Sequence, residues 1–275
     1  MRLSVNTHDQ LVDLSSPKVM AIVNITPDSF YTSRGNESVD KLLQHVQELL
    51  DQGADIIDLG ACSTRPGSVA VGAEEEWERL EPALRAIRKE FPNAILSIDT
   101  FRAEIAKKAI QAGADIINDV YGGDADEKMW DVIAKYRVPY ILTFSREIPT
   151  QSISYDYTMS CMVDFFQESL DKLHRMGVAD VVIDPGFGFG KTEEQNYAIL
   201  RQMKVLSILH APILAGVSRK SMLYKPLGLL PTDVLPATIA ANTIALEHGA
   251  HILRVHDVAA AKQAITVYLL THKQN

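Results

Sequence analysis

The chain has 275 residues, a net charge of −8, 47% hydrophobic residues and 23% charged residues. That length admits one large domain or two small ones, and the composition is ordinary for a soluble globular protein. The negative balance argues against nonspecific nucleic-acid binding, and no apolar run approaches the ~18 residues of a membrane span.

Residues 1–18 lack the charged-then-apolar layout of a secretory leader and read as a short N-terminal extension or a hairpin plugging a barrel floor. Apolar runs follow at Val19–Asn24, Asp55–Gly60, Ile95–Asp99, Asp115–Asp119, Pro139–Phe144, Asp180–Asp184, Ile213–Gly216 and Ile252–Val255. They are short, rich in Ile, Val and Leu, and do not alternate, as strands covered on both faces should look. Amphipathic stretches lie between them. Val39, Leu42, Leu43, Val46, Leu49 and Leu50 keep helical spacing behind a Ser38 cap, and Ile105, Ala106, Ala109 and Ile110 do so behind Thr100. Val163, Phe166, Leu170 and Leu173 repeat the pattern, as do Val258, Ala261, Ile265, Tyr268 and Leu269. Cys62 and Cys161 are too few for a disulfide framework and lack metal-ligand spacing, so a cytoplasmic location is expected.

Eight strands each followed by a helix predict an α/β fold: a single (β/α)8 TIM barrel over 19–275 with the extension in front. An internal repeat points the same way. "GADIID" from Gly53, "GADIIND" from Gly113, "VADVVID" from Val178 and "GAHILRV" from Gly249 place alanines at 54, 114, 179 and 250, with spacings of 60, 65 and 71. Each interval holds two strand-helix units.

Chemistry in such barrels sits at the C-terminal strand ends. Here those ends are polar: Asn24, Asp58, Asp99-Thr100, Asn118-Asp119 and Asp184, then "GVSRKS" after the seventh strand and Arg254 and His256 at the eighth. A single Asp or Asn at a strand end is as readily a cap or a loop ligand. Five or more converging on one mouth call for a bound molecule. Asp99, Asn118 and Asp184 suit a heterocycle with donor and acceptor edges. Asn24, Arg65, Arg219, Lys220, Arg254 and His256 suit phosphate or carboxylate groups.

"DPGFGFGKT", Asp184–Thr192, ends like a phosphate-binding P-loop, but Pro185 stands where that motif needs glycine. Its glycines instead let backbone approach a bound ring, with Phe187 and Phe189 as apolar surface and Lys191 as a solvated lysine leading into the next helix.

Together "NITPDSF", "STRPGS", "SIDT", "INDVYGG", "DPGFGFGKT", "GVSRKS" and "RVHDV" resemble the dihydropteroate synthase family over nearly the whole barrel. The resemblance implies a transferase of folate biosynthesis. It would join 7,8-dihydropterin-6-ylmethyl pyrophosphate to p-aminobenzoate, with Mg2+ on the pyrophosphate, and would be a sulfonamide target and a homodimer. Carried over, Asp99, Asn118, Asp184, Lys220 and Arg254 would bind pterin, with Lys220, Asp99 and Arg254 central to catalysis. Asn24, Thr64, Arg254 and His256 would hold pyrophosphate, with the metal beside Asn24. Phe30, Thr64, Arg65, Pro66, Phe189, Arg219 and Ser221 would form the aminobenzoate site.

The chain departs from the family pattern at "YTSRG" after Phe30, at Cys62 where a Glu is usual, and at "TFSRE" from Thr143 to Glu147. Cys62 is expected to be a small buried loop residue. Rival readings are a methyltetrahydrofolate-dependent methyltransferase domain, a non-catalytic pterin-binding paralogue, and a Schiff-base aldolase using Lys220 or Lys191.

Overall fold

A computed structural model of the chain describes residues 3–7, 10–25, 36–62, 71–148 and 155–273. An antiparallel hairpin, β1 (Ser4–Asn6) and β2 (Leu11–Asp13), precedes eight parallel strands. These are β3 (Lys18–Asn24), β4 (Ile56–Gly60), β5 (Ile95–Asp99), β6 (Ile116–Asp119), β7 (Tyr140–Thr143), β8 (Val181–Asp184), β9 (Leu214–Ala215) and β10 (Ile252–Val255). Sheet order runs β8-β7-β6-β5-β4-β3-β10-β9, and a parallel bridge from Ile183 to Ile213 joins the two ends into a barrel.

The surrounding helices are α1 (Asn36–Asp51), α2 (Ala73–Glu90), α3 (Ala103–Gln111), α4 (Met129–Tyr136), α5 (Tyr155–Arg175), α6 (Glu193–Gln202), α7 (Ser221–Leu227), α8 (Leu235–Glu247) and α9 (Val258–Thr271). Two pieces exceed a plain eightfold alternation: a 3-10 segment, Met203–Leu209, and the short α7 ahead of α8.

Successive strand residues face opposite sides. Val19, Ala21, Val23, Leu59, Ile98, Leu142 and Ile183 face outward and pack against the helices. Met20, Ile56, Ile116, Ile141, Val182, Leu214 and Ile252 face inward and form a separate apolar layer with Val5, Val12 and Leu14. The hairpin therefore plugs the floor of the barrel, one of the two forms expected for residues 1–18.

The repeat has a physical basis. Asp55 Oδ2 accepts the Val19 N–H at 2.8 Å and Lys262 Nζ at 2.6 Å. Asp115 Oδ2 accepts the Leu96 N–H at 2.8 Å and Arg88 Nη2 at 2.5 Å. His251, at the same repeat position, accepts the Ile213 N–H on Nδ1 at 3.1 Å. Each side chain staples its own strand to the one before it.

Two expected caps are not caps. Ser38 lies within the first turn of α1, which begins at Asn36. The Thr100 hydroxyl donates to Glu76 Oε1 at 2.7 Å, and Arg102 occupies the cap position of α3. Leu269, expected on the packed face of the last helix, is exposed.

Candidate active site

One step above the apolar layer, the inward positions become polar on six of the eight strands: Asp58 on β4, Ser97 on β5, Asn118 on β6, Thr143 on β7, Asp184 on β8 and Arg254 on β10. Asp99 lies a further two residues along β5 and pairs in register with Asn118. The expected convergence of strand ends is present.

Arg254 is the hub. Its Nε donates to Asp58 Oδ2 at 2.7 Å, and its Nη2 donates to Asp99 Oδ2 at 2.6 Å. Asp58 is fully buried and also accepts Asn118 Nδ2 at 3.0 Å. Burial works against the Arg254 charge, but Asp58 and Asp99 more than offset it and raise its pKa. Asp99 has the opposite problem: burial pushes its carboxyl up to about 7, although Arg254 opposes the shift. Asp58 Oδ1, Ser97 Oγ and Thr143 Oγ1 are buried without a hydrogen-bond partner. Groups of this kind ordinarily cost ~1–3 kcal/mol each when left unmade, so their clustering in one layer marks a place prepared for a polar ligand.

Across the barrel, Asp184 Oδ1 accepts the Gly186 N–H at 2.7 Å. Burial raises its pKa, with Lys220 the main opposing influence. Lys220 caps α7, donates from Nζ to the Phe187 carbonyl, and holds Nζ 4.5 Å from the Phe189 ring centroid. Burial lowers its pKa to about 8. The glycine loop makes this approach possible. A Cβ on Gly186, at φ +67, would strike the Phe144 carbonyl oxygen, and one on Gly188, at φ +82, would sit 3.2 Å from Lys220 Cδ.

Nearer the rim, Ser218 Oγ lies 2.9 Å from His256 Nδ1 and accepts the His256 backbone N–H at 3.3 Å. Arg219 holds Asp257 through two bonds, Nε to Oδ2 at 3.0 Å and Nη2 to Oδ1 at 2.6 Å. Its backbone is left-handed at φ 54, and its N–H donates to Thr238 Oγ1 at 3.2 Å. Ser221 opens α7, and the Asn24 side chain is exposed at the end of β3.

Asp99, Asn118, Asp184, Lys220 and Arg254 therefore line one pit, with His256 ending the strand run that carries Arg254. Phe30, Thr64, Arg65 and Pro66 lie outside the described residues. Three readings need correction. Asp119 faces outward, accepting the Tyr140 hydroxyl at 2.7 Å and the Tyr121 and Gly123 N–H groups. Phe187 is fully buried in the outer core and offers no surface to the pit. Lys191 is not solvated: its Nζ donates to the Phe144, Gly186 and Phe189 carbonyls, and burial lowers its pKa to about 7. Cys62 is buried, as expected.

Sequence reasoning counted Asp58 among the polar strand ends and Thr143 among the departures from the family pattern without giving either a ligand, and it passed over Ser97. The signal was available: each stands two residues beyond an apolar floor position, so strand alternation turns it inward. Two cavities, of about 330 and 280 Å3, lie outside the barrel against α5, and neither is lined by these inward groups.

For a metal, the described residues contain no cluster of three His, Cys, Asp or Glu side chains. Asn24 offers an exposed amide oxygen at the mouth. That is compatible with a hard cation held mainly by a ligand's own oxygens, as Mg2+ with a diphosphate is.

Comparison with known proteins agrees with the geometry. Residues 20–256 match the model of the family described as pterin binding enzyme. The chain is 39% identical over 249 residues to the dihydropteroate synthase of Clostridium beijerinckii, covering 90% of this chain and 91% of that one. Among solved structures, the dihydropteroate synthase of Clostridium difficile, determined in the presence of pteroic acid, superposes with a TM-score of 0.89 at 36% identity. That match covers 94% of this chain and 98% of the other. The enzyme of Xanthomonas albilineans with 4-aminobenzoic acid superposes with a TM-score of 0.90 at 35% identity over 100% of both chains. Barrel, strand-end constellation and sequence likeness coincide, and the chain belongs to the pterin-binding enzyme family as a member of the dihydropteroate synthases.

Proposed function

We propose that the pit is where 7,8-dihydropterin-6-ylmethyl pyrophosphate and p-aminobenzoate are joined, giving 7,8-dihydropteroate and pyrophosphate. The observation that carries this reading is that Arg254 is ion-paired with Asp58 and Asp99, and Asp184 feels the Lys220 charge, beside buried polar atoms without partners. The N–H edge of a pterin meets Asp184, and its remaining polar edge meets Asn118, Asp99 and Lys220. Arg254, fixed by two carboxylates, presents its guanidinium face to the ring.

His256, Asn24 and Arg254 receive the diphosphate, together with Thr64 on the second loop. Asn24 would hold Mg2+ together with the diphosphate, and the ion would supply charge neutralisation to the leaving group. The protein's part is positioning and fixed charge. The methylene carbon–oxygen bond breaks with pyrophosphate taking its electron pair, the aniline nitrogen then bonds to that carbon and loses one proton to water, and no covalent nucleophile on the chain is needed. Phe189, Arg219 and Ser221 take the aminobenzoate, with Phe30, Thr64, Arg65 and Pro66 assigned to the same site by the family resemblance, and sulfonamides compete there. Asp257 already holds the Arg219 fork, so Arg219 acts through the part of its guanidinium that Asp257 leaves open. The exposed Ile244, Val267 and Leu270 on the packed α8–α9 pair support a homodimer. A soluble cytoplasmic enzyme is consistent with the lack of any described helix long and apolar enough to cross a membrane.

The test is pyrophosphate release measured with both substrates and with each alone. Release only with both supports the reading, whereas pterin binding without release identifies a non-catalytic binder. Lys220→Ala or Asp99→Ala is expected to cut turnover about a hundredfold or more, by the scale of ~3 kcal/mol lost when an electrostatic contact to the transition state is removed. Turnover within a fewfold of wild type in either variant overturns the assignment of that residue.

A further inference from the structure

Lys191 has no part in the chemistry above, yet it is among the most constrained cations of the molecule. Its Nζ donates to the carbonyl oxygens of Phe144 at 2.7 Å, Gly186 at 2.8 Å and Phe189 at 2.9 Å, and it lies 4.9 Å from the Phe144 ring centroid. An ammonium has three N–H donors, and all three are used.

The carbonyls come from two separate connections: Phe144 follows β7, whereas Gly186 and Phe189 belong to the loop after β8. Carbonyl oxygens converging on one point form a cation cage, and here the chain supplies its own cation. Without it, three carbonyl dipoles would face one another in a partly buried space; those of Phe144 and Phe189 would lose the ammonium, and that of Gly186 would keep only the Phe189 N–H at 3.1 Å.

The caged loop supplies three groups to the pit. Its Gly186 N–H fixes the Asp184 carboxylate at 2.7 Å. Its Phe187 carbonyl accepts the Lys220 ammonium. Its Phe189 ring lies under that same ammonium at 4.5 Å. Loop shape therefore sets the separation of the acidic and basic sides of the ring slot, but not the Arg254–Asp58 hub or the Ser218–His256 pair.

We infer that Lys191 is a positioning residue: an internal ammonium clamp that holds the glycine loop in the form that presents Asp184 and Lys220 to the heterocycle. The inference rests on reading the pit as a pterin site, and the experiment separates failure of the two.

Binding of pteroic acid and of inorganic pyrophosphate is measured by calorimetry for the wild type, Lys191→Met and Lys191→Ala. Lys191→Met is expected to weaken pteroic acid about tenfold, the scale of one charge-assisted hydrogen bond, and to leave pyrophosphate within about twofold. Retained pyrophosphate binding also shows that the variant is folded. Methylammonium, but not tetramethylammonium, is expected to restore pteroic acid binding to Lys191→Ala, because only the former can donate into the carbonyl cage. A wild type that binds neither ligand overturns the functional reading itself. Unchanged pteroic acid affinity in Lys191→Met, equal loss of both ligands, or a loss that methylammonium does not reverse overturns the clamp.

Discussion

Met20, Ile56, Ile116, Ile141, Val182, Leu214 and Ile252 point into the barrel at its floor, where Val5, Val12 and Leu14 close it. Two residues along those strands, the inward side chains of the next layer include Asp58, Asn118, Thr143, Asp184 and Arg254. One layer has no polar side chain and is sealed by a hairpin. The other carries opposing charges and three buried polar atoms without partners. Apolar packing and a charged, hydrogen-bonding network are thus separated along the barrel axis, within the span of two residues per strand.

The sharpest way to break this division is Arg254→Leu, because Arg254 sustains both functions of the polar layer. It leaves the fully buried Asp58 without its cation, and removing one partner of a buried pair costs about 3–5 kcal/mol. A fall of that size in unfolding free energy from urea titration is expected, together with loss of pterin binding. A variant as stable as wild type would show that the pair is not what neutralises Asp58.

Leu14→Ala probes the other layer. Leu14 is fully buried against the floor, so a loss of about 2–5 kcal/mol is expected. Turnover per folded molecule should stay at the wild-type value. A change in KM for the pterin substrate would mean that floor and mouth are coupled.

The smallest effect belongs to the staples beneath the floor. His251 accepts an N–H on Nδ1, and burial lowers its pKa below the usual 6.5. Its contribution to stability is therefore full above about pH 6.5 and is lost as pH falls through the lower folded-state value. Melting temperatures of the wild type should decline more steeply below pH 6.5 than those of His251→Asn. Parallel declines would remove His251 from the account.

Strand positions were readable because strands buried on both faces are unbroken Ile, Val and Leu runs. Ile95–Asp99 and Ile252–Val255 match residue for residue. β9 is shorter than its run, Ile213–Gly216, because only Leu214 and Ala215 find ladder partners on β10. Asp99, Asn118, Asp184 and Arg254 were legible because polar groups ending such runs are conspicuous.

Other features were hidden for definite reasons. Ser38 and Thr100 have the composition of caps, but a helix boundary depends on where tertiary contacts allow the first turn to begin. Thr100 is drawn instead to the buried Glu76. Lys191 looked solvated because nothing in a linear string shows that carbonyls of residues 144, 186 and 189 will meet at one point. Ser97 was hidden because a lone serine between Leu96 and Ile98 does not break an apolar run as a charged residue does.

β8 and β9 meet at the sparsest joint of the barrel. Every other neighbouring pair in the barrel shares a ladder, whereas these two strands are linked by the single Ile183–Ile213 bridge and the Ile183 N–H to the Pro212 carbonyl at 2.9 Å. Asp184 stands at the end of one strand, and Lys220 follows the other. A planar guest held by both would span the thinnest seam of the wall and serve as its missing stitch, so that filling the pit would tighten the scaffold where backbone pairing alone is sparsest.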